Sequence, residues 1–255
     1  MTFAASREDY DAYMGRYADR LAPLLIAFAG VQPGERVLDV GCGPGSLTEA
    51  LADLVGAEHV AAVEPSESFA AATADRVPAA DVQVAAAELL PWPADTFDAA
   101  LAQLVVNFMS DADAGIAEMR RVVRKGGTVA SCTWDYSGGM TMLRTFWDAA
   151  LALDLEAPDE ARTMRFHDRS DLRELWVRAG LGDLETDTLV VEVTYPDFDD
   201  FWEPFTGGVG PGGAYCLSLD RDRRAALREE CRRRLGDPDG AFTLSATAWA
   251  VKGRA

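Results

Sequence analysis

The chain has 255 residues, 49% of them apolar, and a formal net charge of −18. That length and apolar share suit one large α/β domain with a full core and exclude global disorder, while the negative charge excludes broad affinity for a phosphate backbone. No charge-free apolar run approaches the roughly 18 residues of a membrane span, and residues 1–9 lack the basic and apolar segments of a secretory leader. These features lead us to expect a cytoplasmic protein with no nucleic-acid or membrane partner, as a monomer or a homodimer. Cys42, Cys132, Cys216 and Cys231 are far apart, no CxxC occurs and there are two histidines, so neither a metal site nor a disulfide framework is expected.

In chain order, residues 11–29 predict a helix with Leu21, Leu24, Leu25 and Phe28 on one face. A turn at 32–35 leads to a strand at 36–40, a glycine-rich turn and a helix at 46–54. A strand at 59–63, a helix at 67–75 and a strand at 82–85 follow. Leu90-Pro91-Trp92-Pro93 breaks the chain before a strand at 97–102. The helix at 111–124 carries acids at its start and Arg120, Arg121, Arg124 and Lys125 at its end, which complements its dipole. Gly126-Gly127 is expected to stop it before a strand at 128–133. Such alternation implies a parallel, doubly wound sheet.

The second half is less regular. Helices are expected at 140–154, 170–179 and 199–205, a strand at 187–195, and a glycine-rich loop at 206–213. The segment 221–234 holds seven arginines interleaved with acids. Glu229–Arg233 and Glu230–Arg234 have the spacing of pairs on a solvated helix. A last strand at 242–251 would pair antiparallel with its predecessor.

The chemistry starts at Asp39 to Ser46, where a strand ends, glycines follow and a helix begins. Glycines admit a ligand close to the backbone, and the helix start offers free N–H groups to it. Glu64, at the end of the next strand and 21 residues after Gly43, is placed to accept from ribose hydroxyls. Dinucleotides and S-adenosylmethionine (SAM) both use this arrangement. Ser46 stands where the dinucleotide fingerprint needs its third glycine.

The segment Val37-Leu38-Asp39-Val40-Gly41-Cys42-Gly43-Pro44-Gly45 resembles the first motif of the class I SAM-dependent methyltransferases, in the subgroup similar to the ubiquinone and menaquinone biosynthesis enzymes (methyltransferase type 11). Ala62-Val63-Glu64-Pro65-Ser66 resembles the second motif. Ala86-Ala87-Glu88-Leu89-Leu90-Pro91-Trp92, Phe97-Asp98 and Arg121 to Gly127 resemble later ones, so the likeness covers about residues 10–135. It implies a Rossmann-like, doubly wound sheet of seven mostly parallel strands, the last antiparallel, with helical insertions. It also implies one domain over 1–255, with a cap helix at 1–30 and insertions at 136–170 and 197–236 forming a substrate lid.

By this resemblance SAM is the cofactor, and Gly41, Cys42, Gly43 and Gly45 line its methionine and ribose. Asp39 orients the glycine loop or the cofactor's ammonium group, and Glu64, followed by Pro65 and Ser66, holds the ribose diol. Ala87 and Glu88 flank the adenine, and Gln103 and Leu104 close over it. Tyr13 to Tyr17 is similar to the helix that caps SAM, with Arg16 pairing the methionine carboxylate. Ala86 departs from the family, which often has an aspartate there for the adenine amino group. The expected activity is methyl transfer to a small molecule. A nicotinamide-dependent oxidoreductase and a non-catalytic SAM-binding protein stay open as alternatives.

No catalytic residue is assigned. His167, in the loop Arg165-Phe166-His167-Asp168, faces either the pocket or solvent; Asp135 and Tyr136 lie near the cleft mouth; His59 is structural. Trp202, Phe205, Gly207, Gly208, Gly210, Pro211 and Tyr215 combine aromatic bulk with a flexible loop, as a closing lid does. Alternatively Trp202 and Phe205 anchor the core. Met140, Arg144 and Trp147 would form the opposite wall. Tyr136, Arg144, Trp202 and Tyr215 are thus the expected substrate contacts.

Overall fold

The computed structural model describes residues 7–166 and 168–255, and only the backbone of Arg7. The expectation for His167 therefore lies outside the described residues. Helix α1 (Arg7–Tyr10) runs through a π-helical turn (Asp11–Gly15) into α2 (Arg16–Ala29), which Gly30 ends in the left-handed conformation at φ 77°. Then come β1 (Val37–Val40), α3 (Ser46–Val55), a 3₁₀ turn (Ala57–His59), β2 (Val60–Glu64), α4 (Glu67–Arg76) and β3 (Asp81–Val84). After β4 (Phe97–Gln103) and a 3₁₀ turn (Val106–Phe108) lie α5 (Ala112–Val122) and β5 (Val123–Trp134). The second half holds α6 (Thr141–Leu153), α7 (Glu160–Thr163), α8 (Arg169–Arg178), β6 (Gly182–Tyr195), α9 (Phe198–Thr206), α10 (Gly210–Ser218), α11 (Arg221–Arg234) and β7 (Phe242–Arg254).

The seven strands form one sheet in the order β3-β2-β1-β4-β5-β7-β6. The first five are parallel, and β7 runs antiparallel to both its neighbours. Every residue of β1 and β2 is buried, as a central parallel strand covered on both faces requires. One core layer joins α2, α3 and α6 to the sheet through Leu21, Leu25, Leu51 and Phe146. The other packs α5 and α8 against the opposite face through Ile116, Met119 and Trp176. This is the expected Rossmann-like architecture, and it brings the carboxyl ends of β1, β2, β4 and β5 to one edge.

Three local expectations need correction. Gly126-Gly127 does not stop α5; the helix ends at Val122 and the chain extends at once into β5. Gly127 is there because a Cβ would lie 2.4 Å from the carbonyl oxygen of Asp98 on β4, so the close strand approach sets the residue. The glycine-rich loop is mostly helix, since α10 starts at Gly210 with Pro211 in its first turn. In α11 the expected Glu230–Arg234 pair forms, but Arg233 also turns to Glu230 and Arg228 to Asp199 of α9, while Leu227 and Cys231 are buried. The arginine helix is solvated on one face and packed on the other.

Candidate functional site

A cavity of about 330 Å³ opens at the carboxyl edge of the sheet, within the usual size range of small-molecule sites. Its first half is the turn between β1 and α3. The N–H groups of Gly41 and Cys42 both donate to the Val63 carbonyl, which fixes the turn to the end of β2. Gly41 sits at φ 73°, and a Cβ on it would lie 2.5 Å from Val105 Cγ1, so only glycine fits. Gly43 is different. It has φ 53°, yet a Cβ on it would meet nothing within 4 Å, and the residue lines the cavity. A glycine beside open space at a helix entrance is a cradle for a ligand.

Two buried acids brace this cradle. Asp39, 1% exposed, accepts from Thr48 Oγ1 at 2.7 Å and so ties β1 to the first turn of α3. Burial pushes its carboxyl up to about 7; the Thr48 hydrogen bond lowers it and the neighbouring Glu64 raises it. Glu64 accepts from the Gly43 N–H at 3.1 Å and the Ser66 N–H at 3.0 Å. Burial raises its pKa, and these two bonds hold it down. Both acids line the cavity and complement a cation or a hydroxyl-bearing ligand. Pro65, Ser66, Ala87, Glu88, Gln103 and Leu104 line it too, with Ala86 beside them. Glu88 accepts from the Asp111 N–H at 3.1 Å. Gln103 donates to the Ala18 carbonyl at 3.1 Å, while its own carbonyl oxygen is buried without a partner among the described residues. Leu104 sits at φ 62°. Ser46 Oγ is likewise buried, unpartnered and at the wall. Unpaired buried polar atoms are costly and mark a place where a ligand completes the bonding.

The second half is walled by Tyr13 of the π-helical turn, Tyr136 beyond β5, Leu143 of α6, Glu160 of α7, and Val209, Gly210 and Pro211 at the start of α10. The Tyr13 hydroxyl is buried without a partner. Tyr136 accepts from Asn107 Nδ2 at 3.2 Å. Burial raises both phenols well above their ordinary value, so both stay protonated.

Five expected contacts lie elsewhere. Gly45, at φ 99°, packs against α4, where a Cβ would lie 3.1 Å from Thr73 Oγ1. It starts α3 rather than lining the cavity. Arg16 pairs with Asp200 of α9 at 2.6 Å and lies over the Tyr195 ring, so it clamps α2 to the insertion. Arg144 pairs with Asp159 at 2.8 Å and with Asp148, pinning α7 to α6. Trp202 is buried beside the Phe146–Phe205 pair, whose rings stack on each other at 4.2 Å. These are the core anchors of the insertion. Tyr215 packs on Trp147 at 5.5 Å, outside the cavity wall. Of the expected substrate contacts, only Tyr136 borders the cavity.

Glu160 was not anticipated. It stands in a four-residue helix amid charged neighbours, a pattern that reads as surface loop, yet it is 4% exposed. Phe69, Met14 and Tyr10, which also line the cavity, fall on helix faces where apolar residues read simply as core. His59 has a side chain 43% exposed and lies far from this edge, 4.0 Å from Glu58. Among the described residues no cluster of His, Cys, Asp and Glu could hold a metal ion, and no helix is long and apolar enough to cross a membrane. All four cysteines are free and buried.

Comparison with known proteins bears on the same region. A family described as a methyltransferase domain matches residues 38–131, which covers both glycine turn and Glu64. A malonyl-[acyl-carrier protein] O-methyltransferase of Geobacter sulfurreducens is 31% identical over 249 residues, covering 93% of this chain and 91% of that one. Among solved structures, a candidate type II methyltransferase from Anaeromyxobacter dehalogenans superposes with a TM-score of 0.63 at 24% identity, covering 92% of this chain and 95% of that one. The [4+2]-cyclase SpnF superposes with a TM-score of 0.56 at 20% identity, covering 100% of this chain and 87% of that one. These two likenesses are of fold, which hosts more than one chemistry.

Proposed function

The chain belongs to the class I SAM-dependent methyltransferases, and from that premise we propose that it methylates a small molecule seated between Tyr13, Tyr136 and Val209. The family sets aside the nicotinamide alternative. One observation carries the proposal: the glycine cradle and the aromatic half are parts of one cavity, so a donor in one half faces an acceptor in the other.

SAM, when bound, supplies a methyl group already activated on a positively charged sulfur. The orphaned Ser46 and Gln103 oxygens, the open Gly43 cradle and the paired acids fit such a group. Gly41, Cys42 and Gly43 would lie along its methionine and ribose, Asp39 near its ammonium, and Glu64 with Pro65 and Ser66 at the ribose diol. Ala87 and Glu88 would flank the adenine, under Gln103 and Leu104. With Ala86 offering no acid, the adenine amino group falls to backbone carbonyls or water. Arg16 is committed to Asp200, so the methionine carboxylate falls to N–H groups at the start of α3. Tyr13 would close the cofactor from above. The protein then contributes nearness and alignment, which supply several kcal/mol, roughly 7–11 in the best cases.

We read 1–255 as one domain in which the described part of 1–30 caps the cofactor, and the described part of 136–170, with 197–236, walls the acceptor. Trp202 and Phe205 hold the second insertion in place, and 209–211 is the part that borders the ligand. Calorimetric titration with S-adenosylhomocysteine, followed by incubation of labelled SAM with small-molecule extracts and with bulk RNA and DNA, tests the proposal. Binding and a labelled small product are expected; absence of binding, or label confined to nucleic acid, overturns it. A second reading follows from the Geobacter relative, whose name gives O-methylation of malonyl-[acyl-carrier protein].

A further inference from the structure

We propose that the acceptor is an amine and that the Glu160 carboxylate receives its ammonium; this rests on the methyl-transfer reading above. The charge inventory of the cavity favours it over a carboxylate. The described lining residues include Asp39, Glu64, Glu88 and Glu160, and no Lys, Arg or His. The first three stand in the donor half, each already holding a hydroxyl or backbone N–H. Glu160 stands in the other half.

The surroundings of Glu160 leave a cation-shaped gap. Its Oε2 accepts from Trp147 Nε1 at 2.7 Å, a neutral donor. Arg144, the cation nearest in the fold, is committed to Asp159 and Asp148, so that it fixes α7 while leaving Glu160 without an ion pair among the described residues. A buried acid without a cation is expensive, and one that faces a ligand cavity is complementary to an incoming positive charge. Tyr13 and Tyr136 add aromatic faces, which attract ammonium groups, and the unpartnered Tyr13 hydroxyl adds a polar contact. An anionic acceptor would meet like charge with no compensating side chain. The nearby α10 start is weakened as an anion site because Pro211 has no N–H.

Burial pushes Glu160 up to about 7; the Trp147 hydrogen bond lowers it, Asp159 raises it and Arg144 lowers it. It can therefore take a proton near neutral pH. A protonated amine R–NH₃⁺ gives one proton to Glu160. The freed lone pair forms the N–CH₃ bond as the C–S bond breaks, its electron pair staying on sulfur. The product is R–NH₂⁺–CH₃, and Glu160 releases its proton to solvent.

The test is equilibrium binding to the protein saturated with S-adenosylhomocysteine. The probes are benzylamine, 2-phenylethylamine and tryptamine, against benzoate, phenylacetate and p-cresol. Amines should bind and the acids and phenol should not. Glu160→Gln should weaken amine binding roughly 10- to 100-fold, with S-adenosylhomocysteine affinity held within about twofold as the control for folding. Wild-type amine affinity should fall as pH drops below about 7, and the variant should lose that dependence. The other groups facing Glu160 do not mimic it: Tyr13 and Tyr136 are held protonated, Asp159 is paired, and Arg144 is held charged by its two acids. If Glu160→Gln does not fold, probe selectivity at fixed pH still decides, because Asp39 in the same cavity is also pushed up to about 7 and would imitate the pH profile. Tighter binding of the acids or phenol, or failure of every probe while S-adenosylhomocysteine binds, overturns the amine proposal. Failure of S-adenosylhomocysteine itself overturns the methyl-transfer reading instead.

Discussion

Replacing Glu64 by glutamine should weaken cofactor binding far more than it weakens the fold. Both carboxylate oxygens accept backbone N–H groups, from Gly43 at 3.1 Å and Ser66 at 3.0 Å. Glutamine keeps one carbonyl oxygen, so one N–H is left facing an amide NH₂, at about 1–3 kcal/mol for an unsatisfied buried donor. Part of that is recovered, because burial already disfavours the Glu64 charge. A net loss of about 1 kcal/mol would lower the melting temperature by about 2–4 °C for a chain of this size. The ligand loses more. A charge-assisted acceptor for its hydroxyls contributes about 1.5–3 kcal/mol, which is roughly a 10- to 150-fold rise in Kd. Calorimetry with S-adenosylhomocysteine reads the second effect and a thermal scan without ligand reads the first. An affinity within twofold of wild type, with the fold intact, would refute the role given to Glu64.

Gly43→Ala should reduce S-adenosylhomocysteine affinity at least about tenfold, because it fills the cradle and puts alanine at φ 53°, which costs about 1–2 kcal/mol; unchanged affinity by calorimetry would show that the cradle is empty of ligand. Trp202→Ala should cost about 3–5 kcal/mol of stability in denaturant unfolding, yet the folded fraction should keep its cofactor affinity, since Trp202 is a core anchor. Arg16→Ala should leave that affinity within about twofold; a tenfold loss would reinstate Arg16 as a carboxylate ligand. Asp39 gives a pH prediction. Its folded pKa of about 7 lies above the ordinary carboxyl value of 3.8, so between those values the native state holds more protons than the unfolded one. Its stabilising contribution is complete below the lower value and is lost as pH rises through about 7. Thermal scans between pH 5 and 8 should show this slope flattened in Asp39→Asn; an unchanged slope would refute it.

The donor half was legible in the sequence because one local unit makes it. The β1–turn–α3 segment is continuous, its glycines report their own backbone needs, and Glu64 follows at the end of the adjacent strand. Gly45 illustrates the limit: glycine in such a turn announces a close approach, and the structure alone tells that its neighbour is Thr73 rather than a ligand. The sheet was legible for the same local reason, through alternation of short buried runs with amphipathic helices. Its boundaries were less so. Val123 to Gly127 follows a helix and carries two glycines, yet Val123 already pairs with Phe97 of β4, and from Thr128 onward the chain pairs with both β4 and β7.

The acceptor half could not be read in this way, because four segments distant in sequence supply it and each looks ordinary alone. Tyr13 comes from the π-helical turn, Tyr136 from the end of β5, Glu160 from α7 and Val209 to Pro211 from the start of α10. Arg144 is expected at the ligand as part of the wall opposite the lid, with Met140 and Trp147. Its partner Asp159 removes it and at the same time sets the next residue, Glu160, into the wall. One ion pair thus takes a positive charge out of the site and leaves a negative one in. A cationic side chain at the wall would welcome an anionic acceptor. Its absence among the described lining residues is the physical reason to expect a cationic one instead.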